Sequence, residues 1–401
     1  MQRCFKFFRL ILTAAILVGI LFVSDINRLN VPEEIGKNHL FSILDWELSR
    51  LPNKWSYKIK SFIKDNGVTK SSRLENIYAY FDDANNNLDE LSLPDVESSI
   101  ESLISDAIKL EGLGYSSRII FPPVLITLDS APNILITSPR DKIIRGDEAL
   151  LDPNLTLHQA IDMENELLEQ ENLSSLVIPV GGIATYPVIV NKTDDLIWSL
   201  QTASHEWFHT FLFFKPLGFN MFKSSEMQIL NETVANIVGK EIGISAFNLL
   251  LNDSDKQTNL CELTTRHANE TSNQFSFAKE MNETRLNTEQ LLTEGKIDEA
   301  ENYMDSRRLV FSANGYPIRK LNQAYFAFYG TYADSPGSIS IIGPQVKEYR
   351  GYFDKLSEFV DDISQVTNYK EFEKSLERLN EKNVPAKRTQ TNSTVIPFLC
   401  Q

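Results

Sequence analysis

The stretch from Asp195 to Phe214, DLIWSLQTASHEWFHTFLFF, decides how the rest of this chain is read. It reads as a helix. Thr193, Asp194 and Asp195 put capping oxygens and negative charge ahead of Leu196-Ile197-Trp198, and Pro216 and Gly218 follow as stops. Trp207, Phe208, Phe211, Leu212, Phe213 and Phe214 offer apolar side chains to a core. On a helix, positions i and i+4 share one face about 6 Å apart along the axis. His205 and His209, two of the chain's five histidines, therefore aim two imidazoles at one point, with Glu206 beside the first. Such an H-E-x-x-H arrangement suits zinc, which in a catalytic site takes three protein ligands and leaves the fourth place to water. Glu206 would take that water's proton.

The third ligand has to be a carboxylate. The longer metzincin pattern fails because position 215 is Lys215 and no histidine lies between His209 and His267. Glu232 is the preferred ligand. It lies in Asn231-Glu232-Thr233-Val234-Ala235-Asn236, and Ile237-Val238-Gly239 extends a small, apolar face on which a second helix can approach closely. Glu226, beside Ser224-Ser225, reads as the acid of a first helical turn and is the alternative. Gly330-Thr331-Tyr332-Ala333-Asp334 looks like the Gly-Thr-x-Asp element of aspzincins with the aspartate one place late, so Asp334 ranks below Glu232.

Over roughly residues 196–245 the chain resembles the gluzincin group of zinc metallopeptidases, in which a second helix supplies a ligand glutamate. Asn231-Glu232-x-x-Ala235-x-x-Val238-Gly239 looks most like the second-helix signature of the bacterial predicted-aminopeptidase family. The resemblance implies Zn2+ held by His205, His209 and Glu232, with Glu206 as general base. It also implies a strand layer ahead of the first helix whose edge strand pairs with an extended substrate. Thermolysin-like members carry an aspartate four residues after the ligand glutamate, whereas this chain has Asn236 there. An amide oxygen can accept an imidazole N–H but adds no charge. The interval from His209 to Glu232 is also longer than in the best-known members.

With 401 residues, 42% apolar and 23% charged, the chain can build one or two globular domains. A net charge of −15 argues against a nucleic-acid partner. Arg3, Lys6 and Arg9 precede an uncharged apolar run from Leu10 to Val23, with Asp25 after it. That asymmetry predicts a membrane anchor with an extracytoplasmic domain, or a secreted protein if the segment is cleaved. Cys4, Cys261 and Cys400 form no metal motif and leave at most one exported bridge, Cys261–Cys400. Asn154, Asn191 and Asn282 stand in N-x-S/T triplets that matter only in a host that glycosylates.

The predicted fold is α+β, mainly helical, with a small mixed sheet preceding a two-helix zinc site. After an N-terminal segment (1–30), residues 31–115 read as helical. Phe41, Leu44, Leu48 and Leu51 form one stripe, and Val96, Ile100, Leu103, Ala107 and Leu110 a second between Pro94 and Gly112. Residues 116–250 hold the strands, expected over 124–128, 134–137, 176–179 and 185–190, a helix over 157–171, and the two site helices. Pro187 predicts an edge position for its strand. Residues 251–382 turn helical again, over 270–303, 318–329, 345–366 and 369–381, and 383–401 read as a tail.

A donor for a developing oxyanion is sought along Asn322, Tyr325, Tyr329 and Tyr332, which recur at helical spacing beside Leu321, Ala324 and Phe328. Tyr329 and Tyr325 are taken as the catalytic candidates, with His267 and Arg319 behind them, while His39 and His158 read as surface or structural histidines. The expected function is a membrane-anchored zinc peptidase acting on peptide or protein substrates. The rival is a non-catalytic, membrane-tethered binding or assembly protein that keeps the helix pair around a structural metal.

Overall fold

Fourteen α-helices, two short 3-10 helices and six strands make up the described part of this computed structural model, which covers residues 29–63, 68–81, 93–114, 119–252, 275–333 and 335–381. The N-terminal apolar run, the three cysteines, His267, Asp334 and the 383–401 tail lie outside the described residues. The chain runs through α1 (Val31–Ile35), α2 (Ile43–Ile63), α3 (Lys70–Phe81) and α4 (Leu93–Leu110) into β1 (Ile126–Leu128), β2 (Asn133–Pro139) and β3 (Glu148–Leu151). Then come α5 (Leu157–Glu171), β4 (Leu173–Pro179), β5 (Gly182–Ile183), β6 (Val188–Val190), α6 (Leu196–Leu212), α7 (Pro216–Phe219) and α8 (Ser225–Asn252). The last part is helical: α9 (Phe277–Thr293), α10 (Ile297–Ala313), α11 (Gln323–Tyr329), α12 (Ile342–Gly351), α13 (Leu356–Ile363) and α14 (Tyr369–Glu381).

The fold is α+β and mainly helical. Helix α8 is apolar nearly all round and is buried in the main core, as such a helix must be. Helices α3, α4, α6 and α12 to α14 and strands β1 and β6 contribute to that same core, so α3, α4 and the last three helices close around the site helices together. Val96, Ile100, Leu103 and Ala107 of α4 are fully buried as their spacing predicts. Leu44 and Leu48 of α2 are exposed instead. Helix α2 is held by polar contacts: Arg50 to Asp129 at 2.5 Å, Lys58 to Glu101 at 2.7 Å, and Glu47 accepting the Tyr186 N–H at 2.8 Å.

The strands form two three-stranded sheets where one was expected. In the antiparallel sheet β3-β2-β4, alternate β2 residues face opposite layers. Leu135 packs with Leu167 of α5, while Ile134 and Ile136 pack with Ala324 and Phe328 of α11. The mixed sheet β1-β6-β5 lies against α6. Pro187 does not mark an edge: it directly precedes β6, the middle strand, which pairs with β1 through Ile126–Val188 and with β5 through Ile183–Ile189. Asn191 locks the two sheets together, its Nδ2 donating to Val180 O at 2.6 Å and its Oδ1 accepting the Ala131 N–H at 2.7 Å. That amide is thus fully engaged, unlike Asn154, which is exposed.

Three of the four outer sheet edges are closed by other parts of the chain. Glu101 and Glu97 accept the Ile126 and Leu128 N–H groups of β1, each at 2.9 Å. Glu164 accepts the Val177 N–H of β4 at 2.8 Å, and Phe41 N–H donates to Leu150 O of β3 at 2.9 Å. The β5 edge is different. Asn191 N–H donates to Gly181 O, so by antiparallel alternation Gly182 turns its own N–H and C=O outward, and no described residue closes that side.

Burial acts to raise the Glu164 carboxyl, but Arg319, Lys320 and the Val177 N–H outweigh it and hold its pKa below the ordinary glutamate value. A lowered folded-state pKa gives stability that is present above the unfolded value and lost as pH falls through the folded one. Glu164→Ala is expected to destabilise the chain by about 2 kcal/mol at neutral pH, towards the low side for buried pairs because Arg319 and Lys320 are partly exposed, and to flatten the acid loss. Urea unfolding at neutral and acid pH checks both.

Candidate metal centre

Helix α6 starts where its caps predict: the Asp195 side chain accepts the Trp198 N–H at 2.8 Å. Trp207, Phe208 and Leu212 are buried, and Trp207 Nε1 donates to Pro122 O at 2.9 Å, which fixes the roll of the helix. Helix α8 crosses it at very short range. A Cβ on Gly239 would stand 2.8 Å from His205 Cβ and 2.9 Å from its Cα, and one on Gly243 would stand 2.9 Å from Gln201 Cα. Hydrogen in place of a side chain is what lets the backbones meet.

The approach brings three donor atoms to one point. His205 Nε2 and His209 Nε2 are 3.0 Å apart, and Glu232 Oε2 lies 3.5 and 3.4 Å from them. Ligands about 2.0–2.1 Å from a tetrahedral centre stand about 3.3–3.4 Å from one another, so the donor set has the size of a zinc cradle. Glu232 Oε2 is buried and has no hydrogen-bond partner, an orphaned acceptor that a cation would satisfy. These residues fit the ion. Glu226 is exposed in the first turn of α8 and takes no part.

The electrostatics agree with that donor set. Burial alone would raise Glu232, but the two imidazoles hold it well below the usual carboxylate range. Burial acts to lower His209, and the carboxylates of Glu232 and Glu206 with the Asn231 side chain outweigh it and raise its pKa. Glu206 behaves the other way: burial raises it more than the two histidines lower it. It lies deep, keeps part of its surface open, and sits against β5, where a Cβ on Gly182 would meet Glu206 Cγ at 2.9 Å.

Among the expected site residues, the structure brings together His205, Glu206, His209 and Glu232. No hydrogen bond joins Tyr325 or Tyr329 to them among the described residues; those rings, 4.5 Å apart, pack with Tyr332 against the β2–β4 face. The tyrosine that feels the site's charges is Tyr332: burial raises its phenol well above the ordinary value, and Glu232 and Glu206 raise it further. Asn322 is the N-cap of α11, accepting the Tyr325 N–H at 2.9 Å, and Arg319 is tied to Glu164. His158 pairs with Asp162 on the surface.

Two contributors carried no motif. Asn236 makes no hydrogen bond to either imidazole. Asn231, beside Glu232, donates from Nδ2 to Leu217 O at 3.3 Å, while its buried oxygen has no hydrogen-bond partner among the described residues. Arg145 braces the far side. It grips Glu148 Oε2 at 2.7 and 2.9 Å, donates to Thr331 Oγ1 at 3.2 Å, lies over Phe328, and partly offsets the carboxylates acting on Tyr332.

Comparison of the chain with protein-family models, with curated proteins and with solved structures gave no match. One described helix, α8, is long and apolar enough by composition to cross a membrane; it is the core helix that carries Glu232.

Gly239→Ala would drive a methyl into His205 and is expected to cost roughly 1–3 kcal/mol of stability by overpacking. Asn231→Ala is expected to lower zinc affinity by about 10–100-fold, the usual effect of losing a group that orients a ligand. Thermal unfolding and competition titration with a chelating dye measure the two.

Proposed function

We propose that this protein is a zinc-dependent peptidase of gluzincin type, held at a membrane by its N-terminal segment with the catalytic part outside the cytoplasm. The observation that carries the reading is the convergence of His205, His209 and Glu232 at tetrahedral spacing, with Glu206 beside them and an open strand edge in front. Zinc held by these three residues would supply a Lewis acid that acidifies water and polarises a carbonyl oxygen.

The chain's own groups supply the rest. Gly182 offers an outward N–H and C=O to an extended peptide, and the absence of a side chain there lets that backbone lie against Glu206. Glu206 accepts a proton from attacking water and can pass it to the leaving amine, a role suited to a carboxylate whose burial raises its proton affinity. Tyr332, its phenol kept protonated by burial and the two carboxylates, donates to the oxygen on which charge develops. The Asp195-capped helix α6, pinned through Trp207 to Pro122 O, holds the imidazoles in place.

Glu206→Gln is expected to abolish hydrolysis of a peptide library while zinc stays bound at one equivalent. Tyr332→Phe is expected to lower kcat by about 10²–10³-fold with little change in KM, as for loss of one oxyanion donor. A Glu206→Gln protein that keeps the cellular phenotype, beside a His205→Ala protein that unfolds, would favour the structural-metal reading instead.

A further inference from the structure

The connector between the two site helices displays more apolar surface than the fold requires. Phe219 and Phe222 are 76% and 80% exposed, and Phe214, expected in the core, is 47% exposed. The backbone beneath them is fixed. Leu217 is buried and its N–H donates to Ser364 O at 3.1 Å, while buried Asn220 donates from Nδ2 to Pro216 O at 2.6 Å. A Cβ on Gly218 would stand 2.1 Å from Leu212 O, so the chain there is packed flush against the end of α6. The Phe214 ring meets Phe121 at the base, 5.0 Å between centroids. The result is a knuckle with a fixed backbone and exposed rings.

Lys215 and Lys223 bracket this knuckle on a chain whose net charge is −15. Clustered aromatic exposure is unfavourable in water and marks a contact surface. An exposed group of rings flanked by lysines matches the boundary between lipid headgroups and acyl chains, where rings enter and ammonium groups meet phosphates. The same chain carries Arg3, Lys6 and Arg9 ahead of an uncharged run from Leu10 to Val23, the pattern of a lipid anchor. We propose that the Phe214–Lys223 knuckle inserts into the interfacial zone of a membrane containing anionic lipid. The metal centre then opens beside the bilayer, and its substrates are peptide segments lying at the membrane surface. The substrate clause rests on the peptidase reading; the lipid contact does not.

One side chain joins the two features. Asn231, next to the metal ligand Glu232 on α8, donates to Leu217 O within the knuckle, so the lipid-facing connector is tied to the helix that carries that ligand.

The test uses the full chain carrying Phe222→Trp, incorporated into vesicles of phosphatidylcholine and phosphatidylglycerol and recovered by flotation. The wild-type chain provides the signal of its four native tryptophans for subtraction. The expected result is a blue-shifted emission from the added tryptophan that is lost when the lipids are brominated along their acyl chains. The loss should weaken when phosphatidylglycerol is left out or when Lys215→Glu and Lys223→Glu are combined with it. A floated chain whose added tryptophan is not quenched overturns the proposal. So does a blue shift without quenching in a chain that sediments as a dimer, since a second copy then covers the knuckle. Failure to float overturns the proposal and the anchoring together. Quenching in a chain that lacks zinc or hydrolysis supports the lipid contact and removes only the peptidase reading.

Discussion

Contact between helices α6 and α8 without intervening side chains is the constraint on which the rest of the molecule depends. Gly239 and Gly243 place one helix backbone against the other at His205 and Gln201. Only at that distance can a glutamate on α8 bring an oxygen to 3.4 and 3.5 Å from the two imidazole nitrogens of α6. The other face of α8 must then be covered, and α4, α12 and α14 do so around residues such as Val238, Ile242 and Phe247. The mixed sheet lies against α6 and brings β5 to Glu206. The packing of the whole core thus serves a separation of a few ångströms at one crossing.

Buried carboxylates do two kinds of work here, and their surroundings separate the kinds. Glu97, Glu101 and Glu164 each accept a strand N–H and face lysine or arginine, so they close sheet edges. Glu232 is held anionic by histidines alone, which is the environment of a metal ligand. Glu206 has no strand N–H or basic side chain bound to it, and burial leaves its proton affinity raised. A carboxylate without such partners, deep in a recess and beside an open backbone edge, is the one free for proton transfer.

Much of this was legible in the sequence where the signal is local. The i, i+4 histidines, the Asp195 cap and the small residues around Gly239 fix the two-helix site through helical periodicity alone, and the helices over 157–171 and 369–381 have the predicted bounds. Strand β3 carries little signal of its own in the sequence, since Glu148 opens it and it has only four residues. Helical spacing lines Tyr332 up with Tyr325 and Tyr329, yet α11 ends at Tyr329, and of the three rings only Tyr332 feels the charges of Glu232 and Glu206. The rule that places an orienting group four residues after the ligand glutamate pointed to Asn236. The buried amide fixed beside Glu232 is instead Asn231, which the knuckle holds through Leu217 O. Phe214 reads as core by composition, and only the fixed backbone around Leu217 and Gly218 shows that it faces out.

The most direct measurement is zinc-edge X-ray absorption on the gently purified full chain. The account predicts a shell of nitrogen and oxygen only, at about 2.0–2.1 Å, with the multiple-scattering pattern of two imidazoles. That pattern should fall to one imidazole in His209→Ala. Protein isolated without zinc, or a shell containing sulfur at about 2.3 Å, would contradict it.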